Sequence, residues 1–103
     1  MTEKAMLFAV RFEDDQGKSV IRKQYLDAHI AWLDQHADSV LVGGSLRLEP
    51  DTNPVGGLWI VKASSKEAVE ALIETDPFWQ QGLRSNVEIL YWSKAFEGRQ
   101  VPV

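Results

Sequence analysis

The chain has 103 residues, of which 45% are apolar and 25% charged, the balance of one ordinary globular domain long enough to bury a core without metals or cross-links. A net charge of −4 with eleven scattered Lys and Arg residues argues against a nucleic-acid partner, because affinity for a phosphate backbone needs clustered basic side chains. With no cysteine there is no disulfide framework, thiolate nucleophile or cysteine-based zinc site, which fits a reducing cytoplasm; no apolar run approaches the roughly 18 residues of a membrane span, and Met1-Thr2-Glu3-Lys4 lacks the pattern of a secretion signal.

Ala5 to Phe12 is a nearly unbroken apolar run and predicts a first strand, apolar on both faces, ending in the turn-prone Glu13-Asp14-Asp15-Gln16-Gly17. From Ser19, a candidate N-cap, the period changes. Ile21, Tyr25, Leu26, Ile30, Trp32 and Leu33 recur at three- and four-residue steps, predicting a helix that ends near His36-Ala37-Asp38. Val40 to Leu48 returns to strand character around Gly43-Gly44, a pair that suggests a bulge or close backbone approach. Glu49 to Pro54 holds two prolines and reads as an exposed hairpin loop. Gly56-Gly57 then leads into a third strand, Leu58 to Ala63.

Ser64 and Glu67 have the spacing of a capping box before the helical repeat Val69, Leu72 and Ile73. This second helix ends about Thr75, because Pro77 disfavours helical geometry at Asp76. Asp76 can cap a short helix, Phe78 to Leu83, with Pro77 in its first position. Asn86 to Phe96 reads as a long final strand and Glu97 to Val103 as a tail. The order βαββαβ predicts one α+β domain of the ferredoxin-like, split-βαβ kind, core 5–96, with a four-stranded antiparallel sheet and both helices on one face. The first, third and fourth strands carry bulky apolar residues at odd and even positions alike, so the second sheet face is not expected to meet water. A second copy of the sheet is its simplest cover, which predicts a homodimer packed face to face.

His29 stands four residues after Tyr25 and three before Trp32, so the three can share one helical stripe. A neutral imidazole is a usable general base near pH 7 once a partner fixes its tautomer. Asp76 is the candidate partner, since both helices lie above the same sheet face. The plainer readings are a half-exposed helix histidine and a carboxylate that only caps. His36, near a helix end, is explained by the helix dipole, and the two glycine pairs lack the spacing of a phosphate loop or dinucleotide fingerprint. Two histidines with no nominated carboxylates make a metal site unexpected. Phe78 and Trp79 are either core or, beside an acid–base pair, the apolar wall of a small-molecule pocket that Tyr25 also reaches. Arg11 and Arg47 are candidate anion anchors.

The segment Tyr25 to Leu33, the Leu41-Val42-Gly43-Gly44 strand, Gly57-Leu58-Trp59-Ile60, and Glu74-Thr75-Asp76-Pro77-Phe78 before an aromatic-rich last strand together resemble the YciI-like, or YCII-related, family. The resemblance covers roughly residues 5 to 96 and implies a dimeric α+β barrel in which His29 and Asp76 form a catalytic dyad beside the sheet. The family's activity is mostly unassigned; one branch resembles dehydrochlorinases of chlorinated hydroxyquinols, and the wider fold includes muconolactone isomerases and cofactor-free monooxygenases. This chain departs from the pattern in the loop Leu48 to Val55 and beyond Phe96. The resulting expectation is a cytoplasmic homodimer with catalytic His29 and Asp76, substrate-binding Tyr25, Phe78 and Trp79, no metal or other cofactor, and no nucleic-acid or membrane partner. It would perform lyase or isomerase proton transfer on a small cyclic or aromatic metabolite. The alternative is a non-catalytic binding or interaction module on the same fold.

Overall fold

The computed structural model describes residues 5–96 and 98–99. Four strands, β1 (Met6–Asp14), β2 (Val40–Leu46), β3 (Gly56–Ala63) and β4 (Arg84–Trp92), form one sheet. Its order is β2-β3-β1-β4 and every pair is antiparallel. Between the strands run α1 (Ser19–Gln35), α2 (Lys66–Ile73) and the single-turn α3 (Pro77–Gln80), with one 3-10 turn, Gln16–Lys18, ahead of α1. This is the predicted ferredoxin-like arrangement.

Strand periodicity decides which side chains meet the helices. Phe8, Val10 and Phe12 of β1 stand opposite Val61, Trp59 and Gly57 of β3, and opposite Tyr91, Ile89 and Val87 of β4. Phe8, Val10, Phe12, Trp59 and Val61 join Trp32, Val69 and Ile73 of the two longer helices in one core cluster. Full burial of each such side chain contributes about 1.5–3 kcal/mol. Trp59 is the hub, with Phe12 edge-on at 4.6 Å and Trp32 stacked at 5.2 Å between ring centroids. The opposite sheet face is mixed. Leu7, Ile60, Leu90 and Trp92 make one end apolar, whereas Arg11 pairs with Glu88 across the strands at the other. The first strand is therefore not apolar on both faces; it alternates, as a strand covered on one side must.

Local signals shifted several predicted ends. Asp15 accepts from the Gly17 amide at 3.0 Å and caps the 3-10 turn that runs straight into α1, so Ser19 is already helical and caps nothing. Ser65, not Ser64, accepts from the Ala68 amide at 3.1 Å. Glu67 thus sits in the first turn, where the helix dipole favours it, and closes no capping box. β1 continues past Phe12 to Asp14 because Asp14 pairs with Arg84 of β4. β4 stops at Trp92, short of the predicted Phe96. Of the predicted tail only 98–99 fall among the described residues.

The last helix ends earlier than predicted, for a visible reason. Gly82 has φ of +77°, its amide donates to the Trp79 carbonyl, and the Leu83 amide donates back to the Phe78 carbonyl at 3.1 Å. That is a Schellman stop, with Leu83 and Phe78 as its buried apolar pair. It turns the chain so that Arg84 begins the next strand.

Candidate active site

His29 is buried on α1, 6% exposed, and Asp76 is fully buried at the N-cap of α3. The two side chains meet, with His29 Nδ1 at 2.7 Å from Asp76 Oδ1. Pro77 in the first helical position fixes the backbone there, and the same Oδ1 accepts from the Phe78 amide at 3.3 Å. One turn along α1, Trp32 Nε1 donates to Thr75 Oγ1 at 2.9 Å. His29 and Trp32 together clamp Thr75-Asp76 between two helices. The Phe78 ring stacks on the imidazole, with centroids 4.0 Å apart and planes 14° from parallel.

This geometry sets the chemistry of the ring. An ionised Asp76 can only accept, so His29 places its proton on Nδ1 and keeps a lone pair on Nε2. Nε2 has no hydrogen-bond partner, yet it is not among the sealed polar atoms; those are Asp76 Oδ2 and Arg84 Nε among the described residues. A buried carboxylate oxygen without a donor is costly. Here it lies on the carboxylate whose other oxygen holds the imidazole.

Nearby, Asp14 receives two arginines. Arg84 Nη1 donates to Oδ1 at 2.6 Å and Arg22 Nη2 to Oδ2 at 2.5 Å, with Arg22 Nε at 3.2 Å. Burial pushes the Arg84 guanidinium below the ordinary arginine range, and the hydrogen bond and charge of Asp14 oppose that shift. Gly57 leaves room for this group, since a Cβ there would lie 3.1 Å from Arg84 Nη2. Both guanidiniums approach the Phe78 ring, at 5.1 Å for Arg22 and 5.3 Å for Arg84.

His29, Arg22 and Arg84 line one cavity of about 550 Å³ between α1, the tip of β2 and the loop before β3, a size that suits a small ligand. Its apolar wall is Leu26, Ile30 and Leu33 of α1. Gly43 lets this helix approach the sheet, because a Cβ there would meet Leu33 at 3.3 Å. Of the predicted residues, His29 lines the cavity and Asp76 holds it from behind; Phe78 lies under the imidazole rather than in the wall. Tyr25 does not reach the cavity, since the helical turn that presents His29 presents Leu26 beside it instead. Trp79 lines a separate shallow groove with Ile73, Val87 and Ile89 on the far side of α3. Arg47 reaches the cavity, whereas Arg11 is on the opposite sheet face with Glu88. His36 donates its Nδ1 proton to the Trp32 carbonyl at 2.8 Å, closing the end of α1. No group of three or more His, Asp or Glu suited to a metal occurs among the described residues.

Three functional candidates escaped the sequence reading. Arg22 was findable, because seven residues before His29 is two helical turns and the same face. Asp14 and Arg84 were not, because their 70-residue separation is closed only by the β1–β4 register.

A model of the YCII-related domain matches residues 6–93. The chain belongs to the YCII-related family. No functionally curated protein matches it. Among solved structures, this YCII-related chain is similar to 5-chloro-2-hydroxyhydroquinone dehydrochlorinase (TftG) from Burkholderia phenoliruptrix AC1100, in complex with 2,5-dihydroxybenzoquinone. The identity is 29% and the TM-score 0.77, over 85% of this chain and 94% of that one. A protein from Bacteroides thetaiotaomicron VPI-5482, provisionally named an antibiotic biosynthesis monooxygenase, aligns at a TM-score of 0.59 and 17% identity over 96% of this chain and 97% of the other. At that identity the likeness speaks for the fold alone. No described helix is long and apolar enough to cross a membrane.

Proposed function

We propose that this protein is a small-molecule enzyme whose His29 is a general base and acid, oriented by Asp76. The reaction is lyase or isomerase proton transfer on a small oxygenated ring. The observation that carries the reading is the 2.7 Å contact between His29 Nδ1 and the buried Asp76, which leaves Nε2 as the ring nitrogen available to a ligand. Nε2 takes a proton from a ring hydroxyl or carbon, and Asp76 stabilises the resulting imidazolium. In an isomerisation the proton returns at another position; in an elimination it balances the departing anion. Leu26 and Ile30 limit water around the reacting atoms, and Phe78 backs the imidazole. Similarity to a dehydrochlorinase of a chlorinated hydroxyquinol supports this substrate class. The same reading includes a homodimer formed through the open sheet face, supported by exposed Val42, Leu90 and Trp92 beside Leu7 and Ile60.

The test is chloride release from 5-chloro-2-hydroxyhydroquinone by the parent protein and His29→Gln. Loss of a positioned acid–base group lowers the rate by about 10²–10⁴-fold, and binding of 2,5-dihydroxybenzoquinone should survive the substitution. Turnover that is indifferent to residue 29 would rule out the mechanism. So would ¹⁵N spectra placing the neutral His29 proton on Nε2.

A further inference from the structure

From the charges around the cavity we infer that its ligand binds as an anion, with an ionised oxygen held by Arg22 and Arg84. This rests on the cavity being the ligand site and does not require His29 to act as a base.

The first observation is charge. The chain as a whole carries −4, yet four cationic side chains and two carboxylates line this cavity, a surplus of two positive charges. Asp14 has one negative charge for two guanidiniums and already uses both its oxygens. Alone it cannot neutralise the pair, and Asp76, whose charge also acts on Arg84, does not line the cavity. The second observation is unfilled donor capacity. Arg84 has only 2% of its side chain exposed, and its Nε is sealed and unpartnered. Its hydrogen bond goes to Asp14 through Nη1 alone, and Arg22 bonds only through Nε and Nη2, to Asp14 and the Gly56 carbonyl. Nη2 of Arg84 and Nη1 of Arg22 therefore keep donors for an incoming acceptor. A buried cation with spare donors is an anion site when the space beside it can hold a ligand.

The third observation is placement. His29 stacks on the Phe78 ring and both guanidiniums lie within 5.3 Å of that ring's centroid. One small ring can therefore touch the cations with an oxygen and His29 with another edge, while Leu26 and Ile30 cover a face. The glycine pair before β3 acquires a purpose here, for Gly57 is the floor on which the Arg84 guanidinium rests. The chemical class that fits is an oxygenated ring carrying an acidic hydroxyl or a carboxylate. Neutral phenols and ethers of the same size should bind more weakly. Charge held close to His29 would also make the second ionisation of the ring the step left for the base.

Isothermal titration of the full chain with two probes tests this. 2,5-Dihydroxybenzoquinone is a vinylogous acid and is ionised at neutral pH; 2,5-dimethoxybenzoquinone has the same ring without the acidic protons. The parent should bind the first at least about tenfold more tightly, as a charge-assisted contact requires, and the preference should shrink as salt rises. Arg84→Met and Arg22→Gln should each remove about tenfold or more of the anion affinity and leave the dimethoxy compound unaffected. Retained binding of that neutral ring certifies that a variant is folded. His29→Gln should keep the preference, so an anion preference beside turnover that is indifferent to residue 29 would sink the proton-transfer reading alone. Equal binding of both probes, no binding of either by the parent, or anion affinity untouched in both arginine variants would overturn the inference.

Discussion

Asp76 performs two tasks with one oxygen, and they can be separated by substitution. In Asp76→Ala the short helix loses its N-cap, worth about 0.5–2 kcal/mol, and the His29 Nδ1 proton loses its acceptor, about 1–3 kcal/mol for a buried donor. Part of this is offset because the unpartnered Oδ2 also disappears. The net expectation is a loss of about 2–4 kcal/mol, which in a domain of this size lowers Tm by roughly 10 °C or more. Asp76→Asn keeps an acceptor for both donors and should fall within about 1 kcal/mol of the parent. Both variants should lose proton transfer, since neither side chain can neutralise an imidazolium. Guanidinium unfolding followed by tryptophan fluorescence is a suitable assay, because Trp32 and Trp59 sit in the core cluster; protein concentration must be fixed if the chain dimerises. Alanine as stable as aspartate, or asparagine as damaging as alanine, would refute the division of labour.

The glycines give a graded test of strand packing. A Cβ on Gly56 would fall 2.0 Å from the Phe12 carbonyl oxygen, whereas one on Gly44 meets nothing within 4 Å. Gly56→Ala should therefore cost about 3 kcal/mol or more in thermal unfolding, and Gly44→Ala should be neutral or slightly stabilising, by up to about 1 kcal/mol. Gly57→Ala should fall between these two in stability, since its Cβ would lie 3.2 Å from the Gly44 carbonyl oxygen, and should weaken binding of 2,5-dihydroxybenzoquinone by nudging the Arg84 guanidinium, 3.1 Å from that Cβ. Leu90, half exposed on the open sheet face, should turn a dimer into monomers on Leu90→Glu, read by light scattering after size exclusion. A parent that is already monomeric would discard the face-to-face dimer.

Much of this was legible from residue order because it is local. The change of period at Ser19, the breaker at Pro77 and the loop around Pro50 and Pro54 mark the elements, and the Asp-Pro step puts Asp76 where a helix must stop. Two adjacent serines defeated the capping assignment, since either can precede the same apolar repeat and only the Ala68 amide chooses between them. The 3-10 turn was hidden for a similar reason: an Asp-Gln-Gly segment reads as a turn whether or not it flows into a helix. Trp79 was misplaced because a one-turn helix presents neighbouring residues to opposite sides. The Asp14–Arg84 half of the arginine cluster was out of reach. Asp14 reads as one of several loop acids until the sheet register sets it against Arg84.

Because Asp76 Oδ1 accepts from both the His29 ring and the Phe78 amide, the integrity of the site can be read from the backbone. α3 is a single turn held by a cap, a proline and a Schellman stop, so any opening of it breaks the cap and the His29 contact together. Whenever it frays, the imidazole loses its orienting partner at the same instant. The exchange rate of one amide hydrogen, that of Phe78, thus reports what fraction of molecules holds a competent histidine. A ligand that engages His29 should slow that exchange without touching the helix that carries it.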